Sequence, residues 1–260
     1  MPGLGLPGLQ EAGNQAVSSA LEPVLGIDEG AKTGGCVVPV SLPCARLVYS
    51  PTGPLDRDYD DHRRFAEAAS SGIKKAVAAG AKHPLLAVKG CLPGKTEEDA
   101  QLSALLGALA AVYVPLEMRE GVKERAVKIA GLGWAGDRKV MEEARAIEAG
   151  RVVARDIGGS DPERMAAPRV EEYVQEAFKG TKVKVEVMKG QAFFEKEYPC
   201  LAAVNRCASQ VPRHDARLIW LTYEGEGSKK KTVYLVGKGI TYDTGGADIK
   251  AGGVMAGMSR

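Results

Sequence analysis

At 260 residues the chain has room for one large domain or two ordinary ones of about 150 residues. Basic and acidic side chains nearly balance, 35 against 33, for a net charge of +2, which excludes a partner held by bulk charge such as nucleic acid. Hydrophobic residues at 45% and charged residues at 26% exclude wholesale disorder.

The first 30 residues are rich in Gly, Pro and Ala and show no clean period, so they are read as weakly structured or as one short helix. From residue 35 to 50, the short apolar runs CVVPV and RLVYS are broken by prolines, as in strands joined by turns. Residues 61–80 predict a helix, because Phe65, Ala68, Gly72, Ile73, Ala76 and Val77 recur every three or four positions and Gly80 is a natural stop. PLLAVKG (84–90) reads as a short buried strand. Thr96 and Asp99 form a T-x-x-D capping signal before a long apolar helix to about Val112. RAVKIAGLG (125–133) reads as another strand. Alternating strands and helices over about 100 residues predict an α/β layer.

GLGWAG (131–136) then breaks the pattern, and a domain boundary is placed near Gly136. It matches G-x-G-x-x-G, but no βαβ unit with an acidic strand end follows it, so it is read as an interdomain turn. Residues 139–157 predict a long helix rich in Ala, Glu and Arg. A loop follows at 158–162. Pro168 then opens a helix with Val170, Tyr173, Val174 and Phe178 on one face, stopped by Gly180. KVKVEV (182–187) alternates with period two, as a half-buried strand does. ARLIWLTY (216–223) and KTVYLVG (231–237) are two more expected strands. Aromatics make up only 5% of the chain, so the core is expected to be aliphatic and rich in alanine.

Five cysteines (Cys36, Cys44, Cys91, Cys200 and Cys207), odd in number and without a C-x-x-C pair, predict reduced thiols in a cytoplasmic protein. Cys200 and Cys207 are read as core residues. No basic residue precedes Lys32, and the start MPGLGLPGLQEAG lacks a compact apolar run, so no secretory signal is expected. The longest uncharged stretch, residues 100–116, has 17 residues, short of the ~20 that a membrane span needs, so no membrane partner is expected. His62, His83 and His214 lie far apart without H-E-x-x-H and are read as surface or loop residues. There is no G-x-S-x-G elbow for a serine hydrolase.

The most informative stretch is VGKGITYDTGGADIK, residues 236–250. An expected strand ends at Gly237 and releases Lys238, then Asp243, then Lys250. Four glycines between 237 and 246 let the backbone fold tightly enough to gather these side chains. The carboxyl end of a strand is where α/β sheets place ligands. Spacing alone is equally compatible with a surface loop carrying two solvated lysines.

The same stretch resembles the signature of the leucyl aminopeptidase (M17) family, V-G-K-G-[IV]-x-[FY]-D-[ST]-G-G-x-x-[IL]-K, here continued by Met255, Met258, Ser259 and Arg260. RVVARDIGGSDPERMAAPRVEEYV and CLAAVNRCASQVPRHDARLIWLTYEG resemble earlier parts of the family's catalytic domain, with Asn205-Arg206-Cys207 in the usual glycine-rich part. The resemblance covers residues 139–260. Before that it is one of architecture, a macro-like α/β domain. It implies residues 1–136 as the N-terminal domain and 137–260 as the start of a larger α/β metallo-exopeptidase domain.

By that resemblance Lys238 and Asp243 are metal ligands for two divalent ions, zinc or manganese. Lys250 is the catalytic electrophile at the scissile carbonyl, and Met258 lines the substrate pocket. The implied substrates are peptides and the implied assembly is a homohexamer. A lysine ligates only when neutral, which at pH 7 costs on the order of 5 kcal/mol. Bound zinc can contribute on the order of 10 kcal/mol, enough to offset this. Without metal, Lys238 is expected to pair with Asp243. The family's next aspartate ligand and its later N-T-D-A-E-G-R element do not occur before Arg260, so these residues alone are expected to be inactive. Ala247 and Asp248 depart from the family pattern. A non-catalytic scaffold member and an ADP-ribose-type ligand on the N-terminal domain are the other expectations.

Overall fold

The computed structural model describes residues 7–228 and 230–239. The fold class is α/β, with helices joined to three two-stranded sheets among the described residues. The chain divides into two compact units between Val152 and Val153.

The first unit opens with α1 (Pro7–Ile27) and α2 (Glu29–Gly34). This is more helix than the glycines and prolines predict. Between them lies an Ala-, Ser- and Leu-containing run of good helical tendency, and Pro23 is accommodated inside α1. The Asp28 carboxylate caps α2 by accepting from the Ala31 amide at 3.2 Å. β1 (Cys36–Pro39) and β2 (Arg46–Tyr49) form the expected antiparallel pair, with Cys36 opposite Tyr49. α3 (Arg63–Ala78) follows as the periodicity predicts, and Gly80 adopts a positive φ of 83° beyond its end.

β3 is only Leu85–Leu86, and Leu85 is exposed, so the expected buried strand at 84–90 is corrected to a short edge. α4 (Glu97–Val112) begins at the expected capping box. The Thr96 hydroxyl accepts from the Asp99 amide at 3.2 Å, and the Asp99 carboxylate accepts from the Thr96 amide at 3.4 Å. α5 (Leu116–Gly121) and a 3-10 turn (Lys123–Arg125) come next.

The expected strand at 125–133 does not form. Its register lies further on, in β4 (Gly133–Trp134), which pairs in parallel with Leu85 and Leu86. The Lys128 ammonium instead donates to the carbonyls of Ala111 and Tyr113, closing the end of α4. GLGWAG is therefore part strand rather than a simple turn. The Trp134 indole donates to the Asp137 carbonyl at 2.9 Å, just ahead of α6 (Arg138–Gly159).

The core of this unit is the α3–α4 pair. Phe65, Ala69 and Ile73 meet Ala100, Ala104, Ala108 and Ala111, with Leu92 beside them. A second cluster sets Leu105 against Val140 and Ala144. The alanine-rich core expected from composition is thus observed. Small side chains let helix axes approach closely and multiply weak dispersion contacts.

In the second unit α7 (Ala167–Ala177) starts with Pro168 in its first turn. β5 (Val183–Met188) is followed by α8 (Gln191–Glu197), α9 (Pro199–Ala208), a 3-10 turn (Pro212–His214) and β6 (Leu218–Tyr223). β5 and β6 pair antiparallel from Val183–Tyr223 to Met188–Leu218. Among the described residues no helix is long and apolar enough to cross a membrane.

Candidate functional site

The sequence places its candidate site after β6, so the frame of the second unit comes first. Cross-strand partners share a face. Val183, Val185 and Val187 therefore lie on one face with Tyr223, Leu221 and Ile219, while Lys184 and Glu186 share the other with Thr222 and Trp220. α7 packs on β5, with Val174 buried. In α8, Phe194 is fully buried and its ring lies 6.4 Å from that of Tyr198.

A polar network ties the start of β6 to the helices. Asn205 on α9 is 1% exposed. Its carbonyl oxygen accepts from the Ala216 amide at 2.7 Å, and its amide nitrogen donates to Gln191 Oε1 at 2.9 Å and Asp215 Oδ1 at 3.3 Å. Arg217 donates to Glu171 on α7 at 2.6 Å and to Asp215 at 2.8 Å. Burial pushes the Glu171 carboxyl up, but the bonds from Arg217 and Lys189 outweigh it and hold the group below its ordinary range. Burial likewise lowers the Arg217 guanidinium, and its two carboxylate partners raise it above its ordinary value. In the same unit the Tyr173 hydroxyl donates to the buried Asp156 carboxylate, whose backbone carbonyl accepts from Ser160 at 2.6 Å.

Beyond β6, residues 224–228 and 230–239 are exposed. Residues 231–237 form no strand, which corrects the expectation. Val233, Tyr234, Leu235 and Val236 are 77, 75, 93 and 97% exposed. β-forming side chains make a strand only against a neighbouring strand, and the described residues offer this run none. Lys238 is exposed at the end of this run. Asp243, Lys250 and Met258, and with them the expected Lys238–Asp243 pair, lie outside the described residues.

The cytosol aminopeptidase family, catalytic domain, matches residues 152–260. A Caenorhabditis elegans protein named as an aminopeptidase, W07G4.4, is 43% identical over 252 residues, covering 94% of this chain and 48% of the relative. The cytosol aminopeptidase of Pseudomonas aeruginosa PAO1 is 29% identical over 267 residues, covering 96% of this chain and 51% of the relative.

The chain belongs to the cytosol aminopeptidase family.

It spans about half the length of the curated relatives it matches. Its fold is also similar to the bottromycin maturation enzyme BotP, solved in complex with Mn, at a TM-score of 0.59 and 19% identity over 73% of this chain and 39% of that one.

The family resemblance implies a metal site, and the donors at hand test it. Among the described residues no group of three or more His, Cys, Asp or Glu side chains is placed to hold a metal ion. Lys238, an exposed amine, is the one described member of the expected ligand set. A zinc ion takes roughly three or four protein donors. The described residues therefore do not make the site.

His83 is exposed. His62 and His214 are half-buried, and His62 stands at the start of α3 with its Nε2 shielded and unbonded among the described residues, not on a free surface. All five cysteines are free. Cys200 and Cys207 are exposed, which corrects their core assignment. They fall on the outward side of α9, whose inward positions are Ala202, Asn205 and Ala208.

Sequence reading missed the Asn205 and Glu171–Arg217 networks. Their one visible signal is the charged pair Asp215 and Arg217 directly before an apolar strand. Polar residues there need partners once the strand is half-buried.

Proposed function

We propose that the protein carrying these residues is a metal-dependent aminopeptidase that releases N-terminal amino acids from peptides. The observation that carries this reading is the unbroken run VGKGITYDTGGADIK inside the family match at residues 152–260. Lys238 and Asp243 are the proposed ligands of divalent ions, zinc or manganese, and the Mn in the structure of the similarly folded BotP supports an ion of that kind. Two such ions supply a water nucleophile at neutral pH and polarise a carbonyl.

The chain's own residues have distinct parts in this reading. Lys250, kept charged, stabilises the oxyanion that develops at the scissile carbonyl. Met258 lines the pocket for the substrate's first side chain. Residues 1–136 are the macro-like domain, and residues 137–260, opened by α6, belong to the catalytic domain. The assembly is a cytoplasmic homohexamer. The 260 residues alone, holding two of the required donors, are inactive.

The test compares the full-length protein with the 260-residue chain. Metal content by mass spectrometry and turnover of a leucyl chromogenic substrate are measured on both. The full-length protein is expected to bind two ions per chain and to turn over, and the shorter chain to do neither. Full-length protein with no bound metal and no turnover would overturn the proposal in favour of a scaffold role.

A further inference from the structure

No further inference is drawn: the strongest candidate, the exposed apolar patch of β6 at Leu221 and Tyr223 on one face of the β5–β6 ribbon, has nothing among the described residues to show what covers it.

Discussion

A Cβ on Gly107 of α4 would overlap the carbonyl oxygen of Ala66 and lie 2.5 Å from its Cα. The α3–α4 core is closed backbone against backbone at this point. Gly107→Ala gains about 1 kcal/mol in helix tendency. Forcing a methyl group into a packed contact costs about 1–3 kcal/mol, and here the contact is unyielding main chain. The net expectation is a loss of up to about 2 kcal/mol, nearer that upper figure because the main chain of Ala66 cannot move aside. Urea unfolding followed by circular dichroism measures it, and a stability equal to or above that of the parent chain would show the two helices to be further apart.

Asn205→Ala removes the acceptor of the Ala216 amide and the donor to Gln191 and Asp215. Leaving a buried polar group unpaired costs about 1–3 kcal/mol, so a loss near 2 kcal/mol is expected. Asn205→Asp should be worse, because it replaces the donating amide with a carboxylate facing the Gln191 and Asp215 oxygens. Comparing both variants by denaturant midpoint separates lost hydrogen bonds from lost volume. Equal midpoints for the two variants would argue against the network.

Acid should loosen the first unit through Asp60. Its side chain is 0% exposed and is held by Arg57 at 2.7 Å and Arg64 at 3.0 Å. The Arg57 bond leads in holding this carboxyl far below its ordinary range. A depressed carboxyl stabilises the fold at every pH above its unfolded value of about 3.9, and that contribution drains away as pH falls below it. Glu171, also depressed, acts with the same sign in the second unit. Melting temperature is therefore expected to be flat from pH 7 to 5 and to fall steeply below pH 4. Asp60→Asn should lower the plateau and flatten part of that fall. An unchanged slope in the variant would remove Asp60 as a cause.

Thiol reagents report the cysteine assignments. Cys44, Cys200 and Cys207 are exposed, while Cys36 and Cys91 are half-buried, with Cys91 packed against the α3–α4 core. Three thiols should react rapidly with a chromogenic disulfide in the native chain, and five after denaturation. Fast reaction of Cys91 would show that the core around Leu92 opens readily.

Lys238→Met separates function from folding. Exposed substitutions away from caps and cores usually change stability by less than about 0.5 kcal/mol, so the unfolding of the 260-residue chain should not move. In the full-length protein the same change should lower bound metal and abolish turnover. Retained metal with full activity would exclude the amine as a ligand.

Much of the fold was legible before any coordinates. α3 announces itself through apolar residues every three or four positions, α4 through the Thr96 and Asp99 cap with the apolar run behind it, and α6 through its Ala, Glu and Arg content. β5 is legible as strict alternation, which survives in its burial. These signals are local, set by helix and strand geometry within a few residues. β4 was misplaced because a two-residue parallel pairing leaves no periodic trace, and its register depends on Leu85, nearly fifty positions away. The candidate site was legible only as a motif. Its one described member, Lys238, stands in solvent, and the apolar run before it reads as a strand without pairing as one.

By itself the sequence determined α3, α4 with its cap, α6, the alanine-rich core and the family, because each is written in short-range pattern, in composition or in an unbroken run of residues. Only the tertiary structure decided that Gly107 seats against Ala66, that Asn205 anchors the start of β6, that the Asp60 side chain is enclosed by two arginines and that residues 231–237 find no sheet among the described residues. These depend on which surfaces meet, and distant segments meet through packing and desolvation that no local window of residues contains.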